Sequence, residues 1–397
     1  MSAPPNYPGR IRTDTTNAFA HHTMRVRVPA IVRQVLDRNP DYDTTIADAL
    51  GHLANDLEQN APLPPLMGAS PGAQRVRRAL AARASETWLH TDWFFAETYA
   101  YRQLTERVRY WETRRDPFLP LKRDEYASRA HADAFEYALA LRGSPEERLA
   151  EHFTAGVFGN RMDLSFAASL ERGLDAAADD LLIDERGPAI RQCLTAPGPI
   201  HVIADNAGTE LTLDMVFCDF ALGELRAPVV LHLKTHPTFV SDATIRDVEC
   251  FLGRDETPLF EPGSHTTRAC IARLARALDT GQLVLRSHPY WNGPDSLWDM
   301  PNALARQFTG ARLVVLKGDA NYRRALGDAV WPTDTSFAAL TSYFAAPLLA
   351  LRALKSDPVV GLPRDRAKEL DRIEPSWRVN GRRGIASFKP GRPTLAG

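Results

Sequence analysis

Cysteine is scarce in this chain of 397 residues: Cys193, Cys218, Cys250 and Cys270 are widely spaced, lie in apolar or helical contexts and form no C-x-x-C pair. Such spacing argues against a disulfide framework and a thiolate zinc site, and predicts buried free thiols. Long apolar runs are missing as well. No stretch offers the roughly 20 apolar residues of a membrane span, and the polar, proline-bearing N-terminus lacks the apolar core of a signal peptide. The expected location is therefore cytoplasmic, with no membrane partner. Net charge is nearly absent at -1, which removes any electrostatic argument for a nucleic-acid partner. Lysine is rare: among 48 basic residues it occurs only at 122, 234, 317, 355, 368 and 389.

What remains, 44% hydrophobic and 24% charged residues, is an ordinary globular composition, long enough for one large domain or two. The stretch around which the chain is organised is Ile200-His201-Val202-Ile203-Ala204-Asp205-Asn206-Ala207-Gly208-Thr209-Glu210. Its apolar, partly β-branched start reads as a buried strand. Leu213, Val216, Phe217 and Phe220 then recur at helical spacing. Asp205 and Asn206 thus fall at the carboxyl end of a strand, the edge where open α/β sheets bind ligands. Three later segments repeat the pattern: the apolar run 228–233 leads into Lys234-Thr235-His236-Pro237 and Ser241-Asp242, the run 282–285 into Arg286-Ser287-His288, and the run 311–316 into Lys317-Gly318-Asp319-Ala320-Asn321-Tyr322-Arg323. Strand, polar turn and helix in repetition predict a parallel sheet with crossover helices, and they bring these turns to one rim.

The part before the sheet reads differently. Residues 1–23 are polar and are expected to be flexible. Helices follow over 24–190: Ile31, Val32, Val35 and Leu36 share one face, as do Ile46, Leu50, Leu53 and Leu57, and a helical pattern runs from Ala73 to about Glu112. Its aromatic cluster (Trp88, Trp93, Phe94, Phe95, Tyr99, Tyr101) is read as core. Ser144-Pro145-Glu146-Glu147 is a helix start with a capping box, and that helix is expected to end near Gly159. The predicted organisation is a helical N-terminal region over 24–190, packed on an α/β domain over 191–397 that carries the candidate site. Ser287 to Asn302, rich in Trp, Tyr and Pro, is either a lid or a loop pinned by its aromatics. The tail from Trp377 to Phe388 alternates enough for a terminal strand.

Chemistry concentrates on the strand ends. Asp205, Asn206 and Asp242 are hard oxygen donors that suit Mg²⁺ or Mn²⁺ better than a soft metal, although Asp-Asn at a strand end is also ordinary capping chemistry. Lys317 beside Gly318 is a candidate phosphate contact, outside any Walker A pattern. Lys234 is read as a solvated strand end. Asn160 and Asp163 fit a helix stop and the next cap.

Taken together, Gly159-Asn160-x-x-Asp163-Leu164-Ser165, Asp205-Asn206-Ala207-Gly208-Thr209-Glu210, His236-Pro237-x-Phe239-Val240-Ser241-Asp242 and Lys317-Gly318-Asp319-x-Asn321-Tyr322-Arg323 resemble the DUF89 family, the damage-control phosphatases, in the subgroup of acidic residue methyltransferase 1-like proteins. Weaker echoes are Trp88-Leu89, Glu97-x-Tyr99-x-Tyr101-Arg102 and Trp377-Arg378-x-x-Gly381. The resemblance implies a helical N-terminal part on a three-layer αβα, mainly parallel sheet. It also implies metal-dependent hydrolysis of phosphorylated metabolites such as fructose 1-phosphate or fructose 6-phosphate, with Mn²⁺, Mg²⁺, Co²⁺ or Ni²⁺ as cofactor. It places the metal on Asp205, Asn206 and Asp242, and substrate contacts on Asn160 and Asp163, on Glu210, on Asp319, Asn321 and Arg323, and on a Lys in an Arg-Thr-x-Lys motif. Here that motif reads Arg352-Ala353-Leu354-Lys355, so Arg352 and Lys355 remain and a hydroxyl is lost. Three residues apart, the two cations are expected on one helical face. Two competing readings are S-adenosylmethionine-dependent carboxyl methyl transfer, which the lone Gly208 after the strand disfavours, and sugar-phosphate binding without turnover. A haloacid-dehalogenase mechanism is disfavoured because position 207 is Ala rather than a second Asp.

Overall fold

The computed structural model describes residues 2–159, 180–255 and 259–392. Its centre is a seven-stranded sheet of β1 (Leu181–Asp184), β2 (Ile200–Ile203), β3 (Val229–Leu233), β4 (Leu283–Ser287), β5 (Leu313–Lys317), β6 (Leu348–Ala353) and β7 (Gly384–Lys389), in the spatial order β1-β7-β6-β5-β2-β3-β4. β2, β3, β4, β5 and β6 are mutually parallel, and β7 is antiparallel to β6. β2 and β5 are buried along their whole length. That is why both read as unbroken apolar runs: in a sheet covered on both faces neither side of the pleat meets water.

Helices cover both faces. On one, the helix Gly208–Gly223 packs against Leu119–Tyr126, Arg129–Ala140, Pro145–Phe158 and His265–Asp279. Lying between the sheet and this outer layer, it is apolar nearly all round. The opposite face is closed by Tyr290, Trp291, Phe308, Tyr322, Phe337 and Trp377. A third core, built from Val32, Leu50, Leu53, Trp88, Trp93 and Tyr99, holds the N-terminal helices together. The architecture is therefore the expected three-layer, mainly parallel α/β fold with helices packed on it.

Several expectations are corrected. Residues 11–22 are tied down: Ile11 N–H donates to Asp328 C=O at 2.8 Å, Trp93 N–H to Ile11 C=O at 2.8 Å, and Asn17 caps the short helix Ala18–His22. Polar composition hid this docking, because it is carried by backbone pairing. The helical pattern of 73–112 divides into Ala73–Ala81, Trp93–Arg107 and the short Tyr110–Thr113. β1 lies inside the range read as all helical. Arg352 sits on strand β6 rather than on a helix, so it and Lys355 share no helical face. In the loop after β4, Tyr290 and Trp291 are buried, which supports the pinned reading.

Candidate functional site

The chain leaves β4 for β5 by crossing back over β2, so β2 and β5 lie side by side and the loops that follow them diverge. Such a topological switch point is where open α/β sheets form their crevice. Asp205 comes from the end of β2 and Gly318 from the end of β5. Gly318 has φ +80°, and a Cβ there would overlap the Asp205 carboxylate. Glycine is thus required on two counts, conformation and close approach.

Asp205 accepts from Asn206 Nδ2 at 2.9 Å, and Asn206 Nδ2 also reaches Glu210 Oε2 at 2.9 Å. The Asn206 amide oxygen accepts from Ser241 Oγ at 2.6 Å. Asn206 and Asp242 form an isolated antiparallel bridge, and Ala243 N–H donates to Asp205 C=O at 2.7 Å. The two strand-end turns are thereby laced together. Burial, the nearby Asp242 and Glu210 hold the Asp205 carboxyl well above the ordinary range, while Lys234 and Lys355 oppose this. Burial also raises Asp242, with Lys234 again opposing.

Lys234 is not solvated. It is 2% exposed and its Nζ lies 2.9 Å from Asp242 Oδ2. Lys317 likewise points inward: its Nζ is 2.7 Å from Asp214 Oδ1 and 3.2 Å from Glu210 Oε1, with all three side chains buried. Asp214, pushed up by burial, titrates at about 6 despite the ammonium beside it.

The other residues marked by sequence form a supporting network. Asp319 accepts from Arg352 Nε at 2.8 Å and from Ser356 Oγ at 3.0 Å. Burial works to raise its carboxyl, but Arg352, Arg323 and Ser356 together hold it below the usual value. Arg352 also donates to the carbonyls of Ser356 and Pro358. Arg323 is held by Asp328 (2.6 Å) and Glu97 (2.7 Å), over the Trp93 ring. Asn321 Nδ2 donates to the carbonyls of Ala204 and Lys317, bridging the ends of β2 and β5, while its buried Oδ1 has no hydrogen-bond partner. Lys355 is half-buried and its charge is felt by Asp205. Asn160 and Asp163 lie outside the described residues.

Sequence reading passed over three residues of this network. Lys122 brings Asp116 (2.8 Å) and Asp247 (2.9 Å) together and approaches the Asp242 carbonyl at 3.4 Å. Its signal was the rarity of lysine. Asp214 is an acid one turn after Glu210 on an otherwise apolar helix, a signal available in advance. Glu125 accepts Thr209 N–H at 2.8 Å and caps the helix Gly208–Gly223; nothing in its local sequence marks it.

Among the described residues no three His, Cys, Asp or Glu side chains converge as a ready-made metal-ligand set. The donors that do meet here are two carboxylates and an amide. The carboxyls of Asp205 and Asp242 and the amide of Asn206 are hard oxygen donors brought together from two strand ends, with the Lys234 ammonium against Asp242, and this donor set fits a divalent cation.

The cleft lined by Arg75, Phe95, Tyr99, Arg102, His236 and Asn292 runs along the same rim but contains neither Asp205 nor Asp242. No helix among the described residues is long and apolar enough to cross a membrane.

Known proteins resemble this chain along most of its length. It is 26% identical over 437 residues to damage-control phosphatase ARMT1 of Danio rerio, covering 96% of this chain and 97% of that protein. It is 26% identical over 440 residues to the Rattus norvegicus protein of the same name, covering 96% and 98%. A crystal structure of a DUF89 family protein from Pyrococcus horikoshii aligns with a TM-score of 0.49 at 16% identity, over 92% of this chain and 97% of that one. The family model described as the damage-control phosphatase ARMT1-like domain matches residues 23–370, and the chain belongs to that family of phosphatases.

Proposed function

We propose that this phosphatase hydrolyses a small phosphorylated metabolite, with hexose phosphates such as fructose 1-phosphate and fructose 6-phosphate as the leading candidates, at the crevice between β2 and β5. The observation that carries this reading is the meeting of Asp205, Asn206 and Asp242, from two different strand ends, beside the Gly318 turn. Asp205 and Asp242 would hold a divalent ion, with Asn206 as third donor once its amide turns from Ser241. When bound, such an ion neutralises phosphoryl charge and acidifies water.

The remaining roles follow from the partners each residue has. Lys355, half-buried just past the end of β6 on the same rim, is suited to offset phosphoryl charge. Lys317 supports the site from beneath by balancing Glu210 and Asp214. Arg352 fixes the start of the helix Gly318–Leu326 through Asp319, and Arg323 fixes its end through Asp328, so both act as positioning residues. Asn160 and Asp163 enter only through the family resemblance.

The test is a screen of phosphorylated metabolites for phosphate release with Mg²⁺, Mn²⁺, Co²⁺ and Ni²⁺. Release from at least one hexose phosphate, lost on chelation and in Asp205→Ala, is the expected result. Undiminished release after chelation would overturn the reading, and tight binding without release would turn it toward a sugar-phosphate binding protein.

A further inference from the structure

Between β3 and the helix Ile245–Phe251 the chain must turn so that Ser241 and Asp242 face Asn206. The turn is closed by two backbone hydrogen bonds, Ser241 N–H to Phe239 C=O at 2.9 Å and Asp242 N–H to Thr238 C=O at 3.2 Å. Within it, Phe239 has φ +48° and Val240 φ +70°. Two successive non-glycine residues in the left-handed region are unusual, and for a β-branched side chain that conformation is a true outlier. No glycine occurs from 235 to 245. The turn is thus made by the residue types least suited to it.

Something must hold it. The Phe239 ring stacks on Phe94, with centroids 6.3 Å apart at 23°, and tilts against Tyr101 at 5.1 Å. Both partners belong to the helix Trp93–Arg107, and Phe239 and Val240 pack on the N-terminal core rather than on the sheet's own cores. From the other side, Lys122 of the helix Leu119–Tyr126 reaches the Asp242 carbonyl. The strained turn therefore lies between the sheet and the N-terminal helices, and its product is the placement of Ser241 on Asn206 and of Asp242 beside Asp205.

We propose that Phe239 is a positioning residue. Wedged between Phe94 and Tyr101, it holds Val240 in its left-handed conformation, so the N-terminal helices set the geometry of the Asp205, Asn206 and Asp242 donors. This inference rests on the reading of Asp242 as a metal donor. Strain of this kind survives only where the surroundings over-determine it, and it concentrates at functional sites. Without the wedge, residue 240 relaxes to an ordinary φ and carries Ser241 and Asp242 away from Asn206.

The experiment uses full-length protein, with Mn²⁺ binding measured by calorimetry and unfolding followed by fluorescence. Phe239→Ala should weaken Mn²⁺ binding about tenfold, given the scale of such strain. Val240→Gly, in which the positive φ no longer meets a Cβ, should bind like the parent and melt at the same or a higher temperature. The decisive variant is Phe239→Ala with Val240→Gly. With the β-branched outlier at 240 relieved, only residue 239 keeps a left-handed φ and the turn depends less on the wedge, so this pair should recover part of the lost affinity. A purely structural loss of packing would show no such rescue. If Phe239→Ala does not fold, Phe239→Leu takes its place, alone and with Val240→Gly. Parent-like Mn²⁺ affinity in the Phe239 variant, or absence of rescue by Val240→Gly, overturns the proposal. Asp242→Ala separates the two layers of argument: if it binds Mn²⁺ normally, the metal assignment itself fails, whereas if it loses Mn²⁺ while Phe239→Ala does not, only the wedge fails.

Discussion

Replacing Lys317 by Met tests whether this lysine supports the site from beneath or touches the phosphate. Its Nζ sits 2.7 Å from Asp214 and 3.2 Å from Glu210, and it is 1% exposed. Removing the ammonium leaves two buried carboxyls without their cation, and breaking a buried pair in this way costs about 3–5 kcal/mol. The loss depends on pH in a definite direction. With Lys317 present, Asp214 titrates at about 6 in the folded chain against an ordinary 3.8, because burial outweighs the lysine. Between those values the folded form keeps a proton that the unfolded form has lost, so stability falls as pH rises through that window. In Lys317→Met the lowering influence is gone, the folded value climbs further, and the fall extends to higher pH. The deficit relative to the parent should therefore grow from about pH 5 to about pH 8, because Asp214 is protonated and neutral at the low end and a buried bare charge at the high end. Urea unfolding followed by tryptophan fluorescence across that range measures it. An equal deficit at both ends, or parent stability at about pH 8 combined with weakened phosphate-ester turnover, would refute the buried role and return Lys317 to the phosphate.

Four further outcomes are expected. Gly318→Ala should lower the melting temperature and reduce metal-dependent phosphate release by about tenfold or more, since its Cβ would displace the Asp205 carboxylate. Asp242→Ala should abolish metal-dependent release and also destabilise the protein, because Lys234 is left buried and unpaired; adding Lys234→Met should restore the melting temperature without restoring activity. Ala353→Thr should leave the ranking of substrates by kcat/KM unchanged and cost about 1–3 kcal/mol in urea unfolding by overpacking, because Ala353 is buried on β6 opposite Gly384. Chelation by EDTA should end phosphate release and readdition of Mn²⁺ should restore it; release that persists in EDTA would remove the metal from the scheme.

Much of this was legible in the sequence because it is encoded locally. The strands β2, β3 and β5 announce themselves as short apolar runs, since both faces of a covered sheet exclude water. The start of the helix Pro145–Phe158 is written in Ser144 and Glu147, whose reciprocal hydrogen bonds are observed. Asp205, Asn206 and Asp242 were marked by their position after strands, and parallel connection alone requires such turns to share a rim. What sequence could not state is direction and partnership. Lys234 and Lys317 look alike as lysines at strand ends, and only the packed helix Gly208–Gly223 turns Lys317 onto Asp214, while the returning turn over 238–242 buries Lys234 on Asp242. β6 and β1 were missed because a strand is stabilised by neighbours distant in the chain, and Arg352 within β6 is paid for by Asp319 rather than by any local pattern. The left-handed pair Phe239 and Val240 could not be foreseen at all, since local preference argues against it; rings on another helix, more than a hundred residues earlier in the chain, supply the energy that overrides that preference.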